Sequence, residues 1–303
     1  MTSLAPFRMN AALSVGPVAL SVSDLSRSLA FYTQVLGLVV LRQDGQAAEL
    51  GVSGLGAPGR TLLKLRELPN APRAPGNSPG LYHFALLLPS RAELGKLVRH
   101  VASLGVRLGQ GDHLVSEAFY LNDPDGHGIE IYQDRPREGW QWQTGEVVMG
   151  SEPVDVPSLL AEAGPEAPYT GLPGGAVMGH VHLRVSDIAA SEAFYSGVLG
   201  FDVVSRWSGQ ALFISVGGYH HHLGLNTWQS AGGRAAPEHS LRLEEAQFYL
   251  PGVAEVDRLA GRLHEAGVAP EREGSDLLVR DPSGNLLRFS DLDSISSDSS
   301  SFQ

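Results

Sequence analysis

An internal repeat constrains the fold of this chain more than any other sequence feature. Residues 22–37 read VSDLSRSLAFYTQVLG and residues 185–200 read VSDIAASEAFYSGVLG, so ten positions recur in register at an offset of 163. A second echo pairs residues 86–106 with residues 248–268, and a third pairs DPDGHGIEIY with DPSGNLLRFS. This spacing is too long for a solenoid unit and matches the size of a domain. We therefore predict two homologous halves.

The repeats also predict the domain organisation and the fold class. The first domain is expected at residues 14–133, a connector at 134–176 and the second domain at 177–290, and the Ser/Asp-rich segment 291–303 is expected to be a disordered tail. Each half contains an apolar strand, an amphipathic helix and three short β-rich runs, and then repeats this series. The prediction is an α+β fold of four βαβββ modules arranged as two homologous domains.

Capping residues delimit the first helix of each half. The Ser-Asp pairs at 23–24 and 186–187 are typical N-cap residues. Gly37 and Gly200 stand where a glycine ends a helix. These signals predict an amphipathic helix at the same place in both halves.

Composition excludes several classes of function. The chain of 303 residues has 33 acidic and 22 basic residues and a net charge of −11, which argues against nucleic acid or an anionic membrane as partner. No apolar run is long enough to span a bilayer and no secretory signal is evident, so a cytoplasmic protein is expected. The absence of cysteine excludes disulfides and thiolate chemistry, so any metal must be bound by carboxylates and by some of the 11 histidines.

The equivalent positions of modules two and three carry a candidate metal site. The first strands of these modules contain His83 and His180, and the last strand of module two contains Glu130. Two imidazoles and one carboxylate form a facial triad that leaves positions of Fe(II) open for substrate and O2. A site built from these three residues requires modules two and three to enclose one cavity.

The equivalent positions of modules one and four carry no such set. They contain Pro17, Glu245 and Arg288, which do not form a plausible metal site. The sequence therefore predicts one metal site in the chain rather than two.

A run of three histidines, His220 to His222, lies in module three. We predict that this run lies on a strand, so alternation places His221 on one face and His220 and His222 on the other. An imidazole facing the cavity could accept or deliver a proton near neutral pH. The pattern alone leaves open which of the three faces the cavity.

Residues 111–130 read GDHLVSEAFYLNDPDGHGIE and are the most specific stretch of the chain. They resemble the extradiol ring-cleavage dioxygenase signature of the vicinal oxygen chelate superfamily, which runs from a His through an apolar-Tyr pair and Asp-Pro-x-Gly to a ligand Glu. The repeated segments at residues 22–37 and 185–200, which begin with VSD and end with VLG, are likewise similar to glyoxalase/bleomycin-resistance/dioxygenase modules. The resemblance covers both predicted domains and is strongest for two-domain catechol 2,3-dioxygenase-like proteins.

The resemblance implies a role for each candidate residue. The implied metal ligands are His83, His180 and Glu130, with Fe(II) as the ion and Mn(II) as an alternative. The residues implied to contact substrate or dioxygen are His113 and Tyr120, and the residue implied to act as acid and base is His221. The implied reaction is ring cleavage of a small aromatic diol by O2. A monomer and a homo-oligomer both remain open.

The chain departs from the familiar two-domain pattern in one respect. In those enzymes the signature and all ligands belong to the C-terminal domain, whereas here the signature lies in the first half and Arg288 occupies the corresponding Glu position of the second half. The metal site is then either assembled across the two halves or incomplete. Two alternative functions remain: a glyoxalase-like metal-dependent isomerase or lyase, and a small-molecule-binding protein of the resistance type without catalysis.

Overall fold

The computed structural model of the protein describes residues 6–54, 57–165 and 168–293. The predicted disorder of the C-terminal tail falls almost entirely on residues 294–303, which lie outside the described part. Within the described ranges, no helix is both long enough and apolar enough to cross a membrane.

The first half consists of two βαβββ modules. The elements of module one are β1 (Ser14–Val22), α1 (Leu25–Gln34), β2 (Val39–Asp44), β3 (Ala47–Gly54) and β4 (Ala57–Glu67). The elements of module two are β5 (Gly80–Leu87), α2 (Arg91–Ser103), β6 (Gly109–Asp112), β7 (Ser116–Asn122) and β8 (Gly128–Asp134).

The connector has structure of its own. It contains a single 3-10 turn (Arg137–Gly139), a two-stranded hairpin formed by β9 (Trp142–Gln143) and β10 (Glu146–Val147), and the helix α3 (Val156–Glu162). Helix α3 begins at the N-cap Asp155, whose side chain accepts a hydrogen bond from the Ser158 amide.

The second half repeats the same order of elements. The elements of module three are β11 (Val177–Arg184), α4 (Ile188–Glu192), β12 (Asp202–Trp207), β13 (Ala211–Ser215) and β14 (Leu223–Asn226). A π-helical segment, Ala193–Val198, continues α4. The elements of module four are β15 (Leu243–Leu250), α5 (Val253–Glu265), β16 (Glu271–Glu273), β17 (Asp276–Arg280) and β18 (Leu286–Asp291).

The modules pair across the two halves of the chain. Modules one and four form an eight-stranded sheet in the order β16-β17-β18-β15-β1-β4-β3-β2, and modules two and three form another in the order β12-β13-β14-β11-β5-β8-β7-β6. The central pairs, β1 with β15 and β11 with β5, are antiparallel. The predicted α+β fold of four βαβββ modules is confirmed, and modules two and three share one sheet.

The two halves are built on the same local contacts. Asp24 and Asp187 are the N-caps of α1 and α4, and Gly37 and Gly200 follow the helices with positive φ angles of 76° and 81°. A Cβ at Gly37 would lie 2.6 Å from the backbone of Gly171, so glycine is required there for close approach as well.

In each half of the chain, a buried tyrosine of the first helix forms a hydrogen bond with the Asp-Pro turn of the second module. The Tyr32 hydroxyl donates to Asp123 Oδ2 and the Tyr195 hydroxyl donates to Asp281 Oδ2, each at 3.0 Å. Both tyrosines are fully buried. Each aspartate also accepts backbone N–H groups of its own Asp-Pro turn, so these bonds fix the turn that leads into β8 or β18.

Candidate metal centre and active-site cavity

The three predicted metal ligands lie on three adjacent strands. Ala85 of β5 pairs with Glu130 of β8 on one side and with His180 of β11 on the other. Two residues before Ala85, His83 pairs with His182 of β11. Side chains that project to the same face of neighbouring strands are brought together by this register. The three side chains of His83, Glu130 and His180 thus converge although His83 and His180 are 97 positions apart in sequence.

The distances within this cluster fit a bound metal ion. Glu130 Oε2 lies 2.9 Å from His83 Nε2 and 3.2 Å from His180 Nε2. Neighbouring ligands of an ion with bonds of about 2.1 Å at right angles are about 3.0 Å apart, which agrees with both separations. His83 Nε2 is buried, and despite its short distance to Glu130 it has no hydrogen bond of ordinary geometry to any described residue, as expected of a nitrogen that binds a metal.

The protonation states also suit a metal site. Burial alone raises the pKa of Glu130, but the imidazoles of His180 and His83 outweigh this effect and hold its pKa well below the usual range. Burial lowers the pKa of His180, and the charge of Glu130 opposes this without reversing it. An ionised carboxylate and a neutral imidazole are the forms in which these groups bind metals.

A large cavity opens beside the cluster. Its volume is about 770 Å³, and residues of both halves and of the connector line it. Among the lining residues, His83 and Glu130 bring the metal cluster to the cavity surface, and His180 lies buried behind them. A cavity of this size accommodates ligands up to the size of a drug molecule.

His113 and Tyr120 line the same cavity and form a pair. Tyr120 stands opposite Glu130 in the β7–β8 register, and its hydroxyl lies 2.6 Å from His113 Nε2. His113 Nδ1 lies 2.7 Å from the Gly150 carbonyl of the connector. Burial, together with the nearby charge of Glu130, raises the pKa of Tyr120, so its phenol remains neutral.

The histidine run is not a strand, and the alternation predicted for it is wrong. Residues 219–222 form a bend, and β14 begins only at Leu223. The bend follows Gly217 and Gly218, whose φ angles of 61° and 69° turn the chain out of the extended conformation. The adjacent glycines were a sequence signal for this turn.

Only His221 of this run faces the cavity. Its ring centroid lies 4.1 Å from that of His180, and burial, followed by the neighbouring histidines, holds its pKa well below the usual range. His220 is fully buried behind it, with its Nδ1 2.7 Å from His221 Nδ1 and its Nε2 2.8 Å from Asp134 Oδ1. His222 turns away and bonds Ser215 Oγ at 2.9 Å.

The connector contributes to the cavity, and no local sequence pattern predicts this. Met149 and Ser151 line it, and the Gly150 carbonyl between them holds His113. Trp140 packs against His220, with ring centroids 5.2 Å apart. Asp134, at the end of β8, was likewise not identified as a site residue.

The equivalent place in the other sheet is occupied by ion pairs. Arg288 Nε lies 2.8 Å from Glu245 Oε1, and Arg288 Nη1 lies 2.9 Å from Asp276 Oδ2. The cationic guanidinium therefore fills the region that corresponds to the metal cluster. Within the described ranges, His83, Glu130 and His180 form the one group of three ligand side chains close enough to hold an ion.

Known proteins with similar sequences and folds agree with this architecture. The chain is 45% identical to the Catechol-2,3-dioxygenase of Bacillus subtilis (strain 168) over 279 residues, which are 91% of this chain and 96% of the relative. It is 30% identical to the Metallothiol transferase FosB of Lysinibacillus sphaericus (strain C3-41) over 129 residues, which are 40% of this chain and 86% of the relative. The crystal structure of glyoxalase I from Zea mays has the same fold, with a TM-score of 0.58, 16% identity and 95% coverage of both chains.

The family assignment rests on both halves of the chain. Residues 14–131 and 177–289 each match the family sequence pattern, so the match extends over every module. The protein belongs to the Glyoxalase/Bleomycin resistance protein/Dioxygenase superfamily.

Proposed function

We propose that this protein is a metal-dependent extradiol dioxygenase that cleaves a catechol-type aromatic diol with O2. The buried cluster of His83, Glu130 and His180 at a large cavity is the observation that carries the proposal. The 45% identity to a Catechol-2,3-dioxygenase over nearly the whole chain supports it. In the overall reaction the ring C–C bond beside one hydroxyl breaks and both oxygen atoms of O2 enter the product, a muconic semialdehyde.

The proposed cofactor is Fe(II), and Mn(II) suits the same ligands. When bound, the ion supplies open coordination positions for the diol and O2 and lowers the pKa of a diol hydroxyl. The ion would be bound by Nε2 of His83, by the carboxylate of Glu130 and by Nε2 of His180. Residues of one chain complete the site, so we propose that a single copy suffices for catalysis.

We propose that His221 accepts a proton from the diol at Nε2. The Asp134 carboxylate can only accept a hydrogen bond, so His220 donates to it from Nε2. A neutral His220 then accepts at Nδ1, which makes His221 the donor in the contact between the two rings. The remaining nitrogen of His221, Nε2, therefore carries the lone pair that a base requires.

His113 and Tyr120 are proposed to position the substrate. The Gly150 carbonyl accepts from His113 Nδ1, so a neutral His113 accepts the Tyr120 hydroxyl proton at Nε2. This bond turns the lone pairs of the Tyr120 oxygen toward other donors. The phenol oxygen can then accept a hydrogen bond from a diol hydroxyl at the cavity surface.

The proposal is tested by O2 uptake after anaerobic loading with Fe(II) and addition of catechol, with the absorbance of the yellow product as a second readout. We expect the wild-type protein to consume O2 and Glu130→Ala to lose turnover. Glu245→Gln is the matched control, because Glu245 lies in the other sheet, at the position that corresponds to His83, where it pairs with Arg288, and it should retain turnover.

Failure of the wild-type protein to consume O2 with any of several diols would overturn the proposal. Bound metal without O2 uptake would then favour an isomerase or lyase. Binding of an aromatic ligand without metal would favour a resistance-type binding protein.

A further inference from the structure

Arg184 is a cavity residue with no role in the chemistry proposed above. It is the last residue of β11, and it lines the cavity together with His182 of the same strand. His180, His182 and Arg184 are two residues apart and so project to the same side of the sheet. At a rise of about 3.4 Å per residue, the backbone of Arg184 lies roughly 14 Å along the strand from that of the metal ligand His180.

The guanidinium of Arg184 is half-buried without an acidic partner. Burial lowers its pKa, and no carboxylate of the described residues lies within ion-pair distance. Its Nη1 donates to the Gly76 carbonyl at 3.2 Å, and its buried Nε has no partner among the described residues. A partly desolvated cation with unused donors is costly unless another group satisfies it.

Two other partly buried arginines have carboxylate partners, whereas Arg242, which lies outside this cavity, also has a buried Nε without a partner among the described residues. Arg288 contacts Glu245, Asp276 and Glu273, and Arg91 contacts Glu117 and Glu162. Of the two arginines that line the cavity, Arg107 is exposed to solvent, so Arg184 is the one whose buried donor lacks a partner among the described residues.

Aromatic side chains join Arg184 to the metal end of the cavity. Tyr82, whose hydroxyl is close enough to influence the pKa of Arg184, has its ring 5.0 Å from that of His182 and 5.2 Å from that of Trp228. Tyr82 also contacts the ligand His83, with ring centroids 5.4 Å apart. An aromatic ring of a substrate can pack against these side chains, with one end at the metal cluster and the other toward Arg184.

We propose that Arg184 binds a carboxylate on the side chain of the substrate, so that the preferred substrates are catechols with a short acidic tail. The guanidinium offers two parallel donors to a carboxylate, which is the geometry that it favours. The roughly 14 Å along the strand between Arg184 and His180 leaves room for one aromatic ring and a short tail. Binding of the diol end of the ligand rests on the proposed dioxygenase function. Binding of the carboxylate end by Arg184 does not depend on it.

The carboxylate end is tested by isothermal titration of the Fe(II)-loaded protein under argon with 3-phenylpropionate and with its neutral amide, neither of which is a diol. We expect the acid to bind about tenfold or more tightly than the amide, as for a charge-assisted hydrogen bond. Arg184→Met should bring this ratio close to one, and Arg184→Lys should restore part of it. The control Arg206→Met, a surface arginine paired with Glu146 and Glu192, should keep the wild-type ratio.

The whole substrate is tested by comparing kcat/KM for acidic and neutral diols: 3-(2,3-dihydroxyphenyl)propionate against 3-propylcatechol, and 3,4-dihydroxyphenylacetate against 4-ethylcatechol. We expect the wild-type protein to prefer an acidic diol by about tenfold or more and Arg184→Met to lose this preference. An equal rate for acidic and neutral diols in the wild type, or a preference that survives Arg184→Met, would overturn the inference. Acid binding that depends on Arg184 without turnover of any diol would support it and refute the dioxygenase instead.

Discussion

Replacement of His220 by phenylalanine tests how the protein controls the proposed base. The phenyl ring would keep the packing against Trp140 and Tyr219, whose ring centroids lie 5.2 Å and 4.2 Å from that of His220. It would remove both hydrogen bonds of the His220 ring, at 2.7 Å to His221 and at 2.8 Å to Asp134. His221 would remain in place but would lose the acceptor that keeps its proton on Nδ1.

The size of the effect follows from the hydrogen bond that is lost. A hydrogen bond to a neutral group contributes about 1 kcal/mol and one to a charged group about 1.5–3 kcal/mol, and the acceptor here is polarised by the Asp134 carboxylate. A tautomer preference reduced by about 1–3 kcal/mol lowers the ratio of the reactive tautomer to the unreactive one roughly 5- to 150-fold. We expect kcat to fall by up to this factor and KM to change little, because His220 does not line the cavity.

Steady-state O2 uptake with catechol measures kcat and KM, and metal analysis verifies loading of each variant. ¹⁵N-histidine NMR of the Zn(II)-loaded protein reports the tautomer without turnover, and His221 should carry its proton on Nδ1 in the wild type and on Nε2 in a sizeable fraction of His220→Phe. His222→Phe is the matched control, since it loses a bond to Ser215 in the same bend and does not touch the cavity. Full kcat in His220→Phe, or an equal loss in His222→Phe, would refute the reasoning.

Three further predictions follow from contacts in the structure. Tyr120→Phe should lower kcat/KM about tenfold at wild-type metal content, because the hydroxyl that bonds His113 is lost; O2 uptake and metal analysis check this, and unchanged kinetics would exclude the proposed role. Tyr32→Phe should reduce the free energy of unfolding by about 1–3 kcal/mol in urea titrations, since the buried Asp123 loses a donor, and an unchanged midpoint would contradict it. Chelation of the metal should lower Tm, because an ion at 100 times its Kd stabilises the fold by about 2.7 kcal/mol; equal Tm values for metal-loaded and metal-free protein would argue against a site at Glu130.

Much of the fold could be predicted because the repeat reduces it to one module. The order of elements, the helix caps and the Asp-Pro turn before the last strand of each even module recur in both halves and are readable from local patterns. The comparison of equivalent positions also singled out His83, Glu130 and His180. The register that brings them together is a property of three paired strands, and no local pattern encodes it.

The remaining parts of the site depend on contacts between distant segments. Asp134 and His220 are 86 residues apart in sequence, and nothing in either local pattern indicates that they bond. The alternation assumed for the histidine run failed because Gly217 and Gly218 turn the chain just before it. Arg184 ends an ordinary apolar strand, and its lack of an acidic partner becomes visible only when the described neighbours are in place.

The central claim is that one metal centre is assembled from both halves of the chain. Its most direct test is an anaerobic Fe(II) titration of the wild-type protein and of His180→Ala, which changes a ligand from the second half only. The account predicts one ion per chain in the wild type and an affinity at least about a hundredfold lower in His180→Ala. Wild-type stoichiometry and affinity in His180→Ala would contradict a centre shared between the halves.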